Sequence, residues 1–282
     1  MKRKLNGPLV LGLLLALGLM GLVIAAHFVV LPVAPKESLG SFLARETKPL
    51  PPGTPGHLLG TTKYGADVLT MLLLTAWPTL SVGLVIMLGR ALLGIPLGLL
   101  AGWSGRRLGR LVGVLASVFT AVPTMIVAIV ATRAISAIFS TGTYVPAWWS
   151  TYVVLILAGF PRLAQQVRLL TEEIKRRPYM ESATAAGAST WRTLYRYVLP
   201  AMYGDLLVTL SAEIAWVLML CAQMAVFDTY IANNWASAFG AGLWSLRTTP
   251  WVALFPALAL GLAVACFQLL AEGLRRLWVE RI

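Results

Sequence analysis

Six long apolar runs constrain the fold of this chain more than any other feature, because each is long enough to cross a bilayer as a helix. They cover residues 8–31, 77–102, 108–139, 148–169, 201–227 and 251–270. The 282-residue chain is 58% hydrophobic and only 12% charged, which lies outside the range of soluble domains. A spanning segment must satisfy its own backbone hydrogen bonds, so we expect an all-α membrane protein with six transmembrane helices.

The basic residues predict how these helices are oriented. The formal net charge is +12, and the basic clusters lie at alternate ends of the runs, at residues 2–4, 106–110, 162–196 and 275–281. The positive-inside rule then places both termini in the cytoplasm. Such a charge could also indicate nucleic-acid binding, but here it is spread over membrane-proximal loops. We therefore expect the lipid bilayer, and no nucleic acid, as a partner.

Residues that could carry enzymatic chemistry are scarce. Cys221 and Cys266 lie inside apolar runs, and His27 and His57 are far apart in sequence, so no metal site is expected. The chain contains no G-x-x-x-x-G-K-[ST] phosphate loop, no G-x-S-x-G elbow and no H-E-x-x-H helix. We predict that it is not an enzyme and binds no cofactor of its own.

The polar segment from Pro178 to Pro200 interrupts the apolar runs and is the most specific feature of the sequence. Pro178 suits the first turn of a helix. Small residues follow, and Gly187 can end that helix in a left-handed conformation. Ser189 or Thr190 can cap a second helix that reaches Leu199. A helix without bulky side chains on an exposed loop is suited to fit a groove on another protein.

This segment resembles the EAA loop of ABC importer permeases, E-A-A-x3-G-x9-I-x-L-P. The residues that carry the resemblance are Glu181, Ser182, Ala183, Gly187, Leu199 and Pro200. Ser182 replaces the first alanine of the motif, and Tyr197 replaces the isoleucine. The resemblance implies that the short helix docks on an ATPase subunit, so these six residues are the predicted ATPase-coupling residues.

Two further segments resemble the dipeptide, oligopeptide and nickel permeases. His57-x-Leu59-Gly60-Thr61 with Gly65-x-Asp67 is similar to H-P-L-G-T-D-x-x-G-R-D, and residues 250–256 are similar to P-W-x-x-L-F-P-G. Thr62 and Ala66 replace the usual first aspartate and the arginine. The resemblance implies a type I ABC importer permease fold and the role of a second (C-type) permease. It implies a division into residues 1–55, an N-terminal helix with an external segment, and 56–282, a permease domain with the coupling loop at 170–200.

The resemblance also implies the surroundings of such a chain. Its partners would be a second homologous permease subunit, two ATPase subunits that use ATP and Mg, and an extracytoplasmic substrate-binding protein. Its location would be the bacterial or archaeal cytoplasmic membrane. The substrate would be a peptide or a similar small solute, with a nickel or metallophore complex as a further option.

Two charges inside the apolar runs are candidates for a role in transport. Arg90 and Glu213 lie near the middle of the second and fifth runs, where an unpaired charge costs about 2.5–3.5 kcal/mol. They could face the translocation path, pair with each other across it, form a structural ion pair, or pair with a partner subunit. Pro123 should kink the third span, as in helices that line a pathway.

Small residues in the second run predict close helix packing. Gly94, Gly98 and Gly102 recur at every fourth position, a spacing that suits self-association or contact with a second permease subunit.

A different class of function remains open at this point. The chain could be a secondary transporter or channel that works without an ATPase. An ion-coupled carrier has no use for a small-residue docking helix, and the six runs show no obvious inverted halves, so the coupling loop favours the ATP-driven importer.

Overall fold

The computed structural model describes residues 6–26, 48–139, 148–180, 189–227, 229 and 233–279, without the side chains of Arg106, Phe139, Trp148, Trp278 and Val279. This described part of the chain is built from helices. Its only β-type pairings are isolated bridges at Thr54–His57 and Thr61–Asp67.

Within these described residues, five helices are long and apolar enough to cross a membrane. They are α1 (Gly7–Ala25), α2 (Val68–Trp103), α5 (Trp148–Lys175), α8 (Tyr203–Val226) and α10 (Trp251–Val279). The remaining elements are α3 (Arg106–Ala121), α4 (Thr124–Phe139), α6 (Thr190–Thr193), a π-helix (Leu194–Val198), α7 (Leu199–Ala201) and α9 (Trp235–Leu243).

The third predicted span is broken more sharply than a kink. The axes of α3 and α4 meet at 86°. Val122, between them, is extended with φ −101° and ψ 133°, because the ring of Pro123 disfavours the helical conformation for the residue before it. If this bent pair is counted as one span, the described residues contain six candidate spans in total. The all-α class and the set of apolar spans are thus confirmed, and the orientation of the termini stays a prediction.

The helix α2 begins nine residues before the predicted start at Trp77. Its first turn is capped by Asp67, whose Oδ2 accepts a hydrogen bond of 2.8 Å from the Thr70 N–H. His57 Nδ1 lies 3.1 Å from the other carboxylate oxygen of Asp67. The apolar run is shorter than the helix because the Asp67 cap, rather than hydropathy, determines where the helix begins.

The chain divides into two compact units. One comprises Met1–Leu84 with Ile214–Leu270, and the other comprises Val85–Glu213 with Ala271–Ile282. In the first unit Trp235 is buried. Its backbone N–H donates to Thr79 Oγ1 and its indole Nε1–H donates to the Leu72 carbonyl, both at 2.8 Å.

In the second unit the glycines of α2 pack against α5. A Cβ at Gly98 would lie 2.5 Å from the Ala164 carbonyl oxygen, and one at Gly102 would lie 2.6 Å from Thr171 Cβ. Gly94 meets Leu163 in the same way. The prediction of close packing is confirmed, but the partner is a helix of the same chain and not another subunit. Hydropathy and glycine spacing do not tell which helix fills the groove.

Candidate functional site

Arg90 and Glu213 meet in the second unit. Arg90 Nη1 donates to Glu213 Oε2 at 2.7 Å, and both residues are buried, with exposures of 0% and 2%. Arg90 lies in the part of α2 that precedes Gly94, and Glu213 lies in α8. Of the alternatives that the sequence left open, the structure shows the two charges paired with each other.

The other side of the Arg90 guanidinium rests on α5. Its Nε and Nη2 groups both donate to the Leu155 carbonyl oxygen, at 3.0 and 2.8 Å. One helical turn later Gly159 provides the space, because a Cβ at that position would overlap the guanidinium. Arg90 therefore joins α2, α5 and α8 through hydrogen bonds, and Gly159 is the residue that permits this approach.

A second arginine completes the cluster. Arg162 Nη2 donates to Glu213 Oε1, so the carboxylate receives a charge-assisted bond on each oxygen. The side chain of Arg162 is 36% exposed, whereas those of Arg90 and Glu213 are 1% and 2% exposed. The cluster thus has a fixed, buried half and a half that reaches the surface of the chain.

The energetics of this cluster are asymmetric. Burying an ion pair gains little on balance, because desolvation offsets the attraction. Removing one partner, however, leaves a buried charge and costs about 3–5 kcal/mol. The cluster therefore fixes how three helices pack, whatever it contributes to transport.

The second candidate region is the loop that follows α5. At its entrance, Lys175 Nζ donates to the carbonyl oxygen of Trp103 at 2.9 Å and lies 4.8 Å from the centroid of its ring. The cation thereby satisfies a carbonyl at the last residue of α2, where the helix dipole favours positive charge. Two residues later, the hydrogen bond that Arg177 donates to the Glu173 carboxylate raises the pKa of Arg177, which stays charged.

Both ends of the loop are held in one hydrophobic cluster. Met180 lies before residues 181–188, and Leu194 and Val198 lie after them; all three are at most 2% exposed. They share this cluster with Leu163 and Val167 of α5 and with Met202 and Leu206 near the start of α8. The loop is thus attached to two spans at points on either side of residues 181–188.

The second predicted helix of the loop is present. Ser189 caps it by accepting a hydrogen bond of 3.4 Å from the Arg192 N–H. Before Pro200 the helix widens to a π-helix, where the Leu199 N–H bonds the Leu194 carbonyl. Pro200 has no N–H to offer the carbonyl four residues earlier, which accounts for an irregular turn at this point.

The structure places the remaining predicted residues as follows. Glu181, Ser182, Ala183 and Gly187 lie outside the described residues. Leu199 packs against the hydrophobic cluster, and Pro200 is exposed. Pro123 is exposed at the break between α3 and α4. The described residues contain no group of three or more His, Cys, Asp or Glu side chains that could hold a metal ion.

Sequence reasoning missed Arg162 and Gly159. Arg162 was grouped with the cytoplasmic basic residues, although it stands directly after Pro161 inside the fourth apolar run. That position is the signal that could have identified it. Gly159 carries no such signal, because only the folded structure shows what lies against its missing side chain.

The chain is similar to known transport proteins along most of its length. Residues 94–282 match the family described as "Binding-protein-dependent transport system inner membrane component". A glutathione transport system permease protein of Pectobacterium atrosepticum is 29% identical over 222 residues, which cover 78% of this chain and 71% of the relative.

Two further relatives cover more of the chain. A dipeptide transport system permease protein of Alkalihalophilus pseudofirmus is 24% identical over 92% of this chain and 84% of its own length. A di/tripeptide transport system permease protein of Pseudomonas aeruginosa is 27% identical over 87% and 79%, respectively. The matched range contains the second part of α2, the whole coupling loop and every span after it. The chain therefore belongs to the family of binding-protein-dependent transport system inner membrane components, as a multi-pass permease subunit.

Proposed function

We propose that this chain is the second (C-type) permease subunit of an ATP-driven importer, and that the complex moves short peptides into the cell. The observation that carries the proposal is the family match over residues 94–282, since it contains both the coupling loop and the spans attached to it. Short peptides are favoured over a nickel or metallophore complex, because the names of the relatives above refer to dipeptides, di/tripeptides and glutathione.

The coupling loop is proposed to receive the ATPase movement. Glu181, Ser182, Ala183 and Gly187 would form the part that enters a groove on the ATPase subunit, as in the EAA loop that this segment resembles. Support comes from the anchors, because Met180 and Leu194 are both buried in the cluster that joins α5 to α8. Leu199 and Pro200, the other two proposed coupling residues, connect the loop to α8.

Such anchoring suits rigid transmission. A close-packed cluster is poorly compressible, so a displacement at the loop tip would move α5 and α8 instead of being absorbed between them. Lys175 would extend the same movement to the end of α2, through its bonds to Trp103. ATP binding and hydrolysis in two ATPase subunits would in this way switch the permease pair between outward and inward access.

This assignment also gives each subunit of the proposed complex its function. ATP and Mg would be used by the partner ATPase subunits, and this chain would contribute half of the pathway together with a homologous permease. An extracytoplasmic binding protein would deliver the solute. We place Arg90, Glu213 and the Pro123 break among the residues that shape the pathway.

The test is transport by a reconstituted complex. The chain is co-expressed with the permease, ATPase and binding-protein genes that neighbour it, and the complex is placed in lipid vesicles. A tripeptide library is supplied with the binding protein, and uptake is measured by mass spectrometry. We expect uptake with hydrolysable ATP and none with a non-hydrolysable analogue. Uptake by this chain without ATPase subunits, driven by an ion gradient or by diffusion, would instead establish the secondary transporter or channel.

A further inference from the structure

We propose that Arg162 lines the translocation pathway and binds the carboxylate of the passing solute, which for a peptide is its C-terminal carboxylate. This proposal rests on the proposed function. The site consists of the Arg162 guanidinium, positioned by Glu213, which is itself fixed by Arg90.

The position of Arg162 along α5 places it at the depth of the hydrocarbon layer and not at the aqueous surface of the membrane. At 1.5 Å per residue it lies about 21 Å along the helix axis from Trp148, where the helix begins. The hydrocarbon layer is about 30 Å thick. If the fourth apolar run, residues 148–169, spans this layer from its first residue, the Cα of Arg162 falls within the hydrocarbon.

At this depth an exposed charge needs a polar neighbour. The side chain is 36% exposed at the surface of the chain, and a charged group that faces lipid is costly. A long arginine can extend toward the membrane boundary, but here Glu213 holds the guanidinium in place. A water-filled path would provide such a neighbour for the exposed part.

The neighbouring residues of α5 support this orientation. Gln166, four residues after Arg162 on the same helix face, is exposed, and Gln165 beside it is half-buried. In the outer half of α5 the exposed residues Val153 and Leu157 are apolar, as a lipid-facing surface requires. From Arg162 inward the exposed residues of α5 are Gln166, Leu169, Glu173 and Lys175, so the exposed surface there is mainly polar, with the apolar Leu169 among them.

The chemistry of the cluster indicates the ligand. Glu213 already presents a carboxylate to Arg162, so the guanidinium is oriented for such a partner. Arginine presents its N–H groups in a planar fork that matches a carboxylate. A peptide carboxylate could share the guanidinium with Glu213 or replace it, while Arg90 keeps Glu213 in place. A solute that carries a C-terminal amide would lack this interaction.

The first arm of the test compares solutes. The reconstituted complex receives the tripeptide library as free acids or as C-terminal amides, with Arg162→Gln and with the control Arg168→Gln. Arg168 lies on the same helix and bonds Glu172 at 2.8 Å. The ratio of acid to amide uptake is divided by that of the wild type, which cancels the preference of the binding protein. Loss of a charge-assisted hydrogen bond predicts that Arg162→Gln lowers this ratio about ten-fold or more, and that Arg168→Gln leaves it unchanged.

The second arm requires no knowledge of the solute. In Arg162→Cys a charged, water-soluble methanethiosulfonate reagent should modify the thiol, and the peptide library should slow the modification. The native Cys221 and Cys266 are buried, so background labelling is low. A thiol that is not modified in any nucleotide state, or an unchanged acid-to-amide ratio in Arg162→Gln, would overturn the proposal. Wild-type uptake that still depends on ATP would show that the proposed function survives this outcome, whereas loss of that dependence would reject the proposed function itself.

Discussion

Replacing Gly159 by alanine tests whether the Arg90 guanidinium occupies the surface of α5. The added methyl group would overlap the guanidinium, which must then leave its position. Arg90 would lose its two hydrogen bonds to the Leu155 carbonyl and its alignment with Glu213. Since Arg90 is 0% exposed, no water is available to replace these partners.

The size of the effect can be worked from these contacts. Breaking a buried, hydrogen-bonded charge pair costs about 3–5 kcal/mol. Alanine is favoured over glycine inside a helix by about 1 kcal/mol, which offsets part of the loss. The free energy of unfolding should therefore fall by about 2–4 kcal/mol. A methyl group at a crowded site that held no charge would cost less.

The control is Gly261→Ala. Gly261 also lies inside a long apolar helix, α10, and nothing within 4 Å would contact its Cβ. This variant should be neutral or stabilised by up to about 1 kcal/mol. The assay is unfolding of the purified subunit by titration of a denaturing detergent into a mild one, followed by circular dichroism.

A double-mutant cycle then identifies the group that is displaced. Gly159→Ala should cost clearly less in an Arg90→Ala background, because the guanidinium is already absent. Equal stability of Gly159→Ala and Gly261→Ala, or a Gly159→Ala cost that is unchanged without Arg90, would refute the proposed packing of the cluster.

Three further predictions follow from the site. Arg90→Met and Glu213→Gln should be non-additive by about 0.5–3 kcal/mol in the free energy of unfolding; simple addition would mean that the charges do not interact in the protein. A cysteine at Ser189 should resist an impermeant thiol reagent added outside intact cells, because the positive-inside rule predicts that the basic loop is cytoplasmic; labelling from outside would reverse the topology. Leu194→Ala should cost about 2–5 kcal/mol and lower the peptide uptake obtained per ATP hydrolysed, as the loop loses an anchor; unchanged coupling would argue against transmission through this cluster.

The fold could largely be predicted from the sequence because run length and charge asymmetry act locally. Each apolar run has to form a helix to satisfy its backbone in lipid, and the proline at position 123 breaks the helix wherever its neighbours pack. The contacts between helices could not be predicted in this way. The glycines at 94, 98 and 102 predicted close packing, but whether α5 or another subunit fills that groove depends on the whole fold.

The residues of the candidate site were likewise only partly predictable from the sequence. Arg90 and Glu213 were found because a charge in an apolar run is costly wherever it lies, and that cost predicts a partner. Arg162 was assigned to the cytoplasmic side, since a basic residue near the inner end of a span ordinarily stays there. Its role depends on a contact with Glu213, 51 residues away in sequence. Gly159 matters only through the space that it leaves for Arg90.

Docking of the ATPase on the coupling loop is the central claim, and co-purification of that subunit tests it most directly. Tagged permease that carries Ala183→Trp is purified with its partners, beside Ala134→Trp, in which the new side chain lies at an exposed position of α4. Bulk forced into a fitted groove costs about 1–3 kcal/mol. We expect Ala183→Trp to insert normally but to retain little ATPase subunit and to lose hydrolysis stimulated by the binding protein, while Ala134→Trp keeps both. Wild-type amounts of ATPase subunit and normal stimulated hydrolysis with Ala183→Trp would contradict the account.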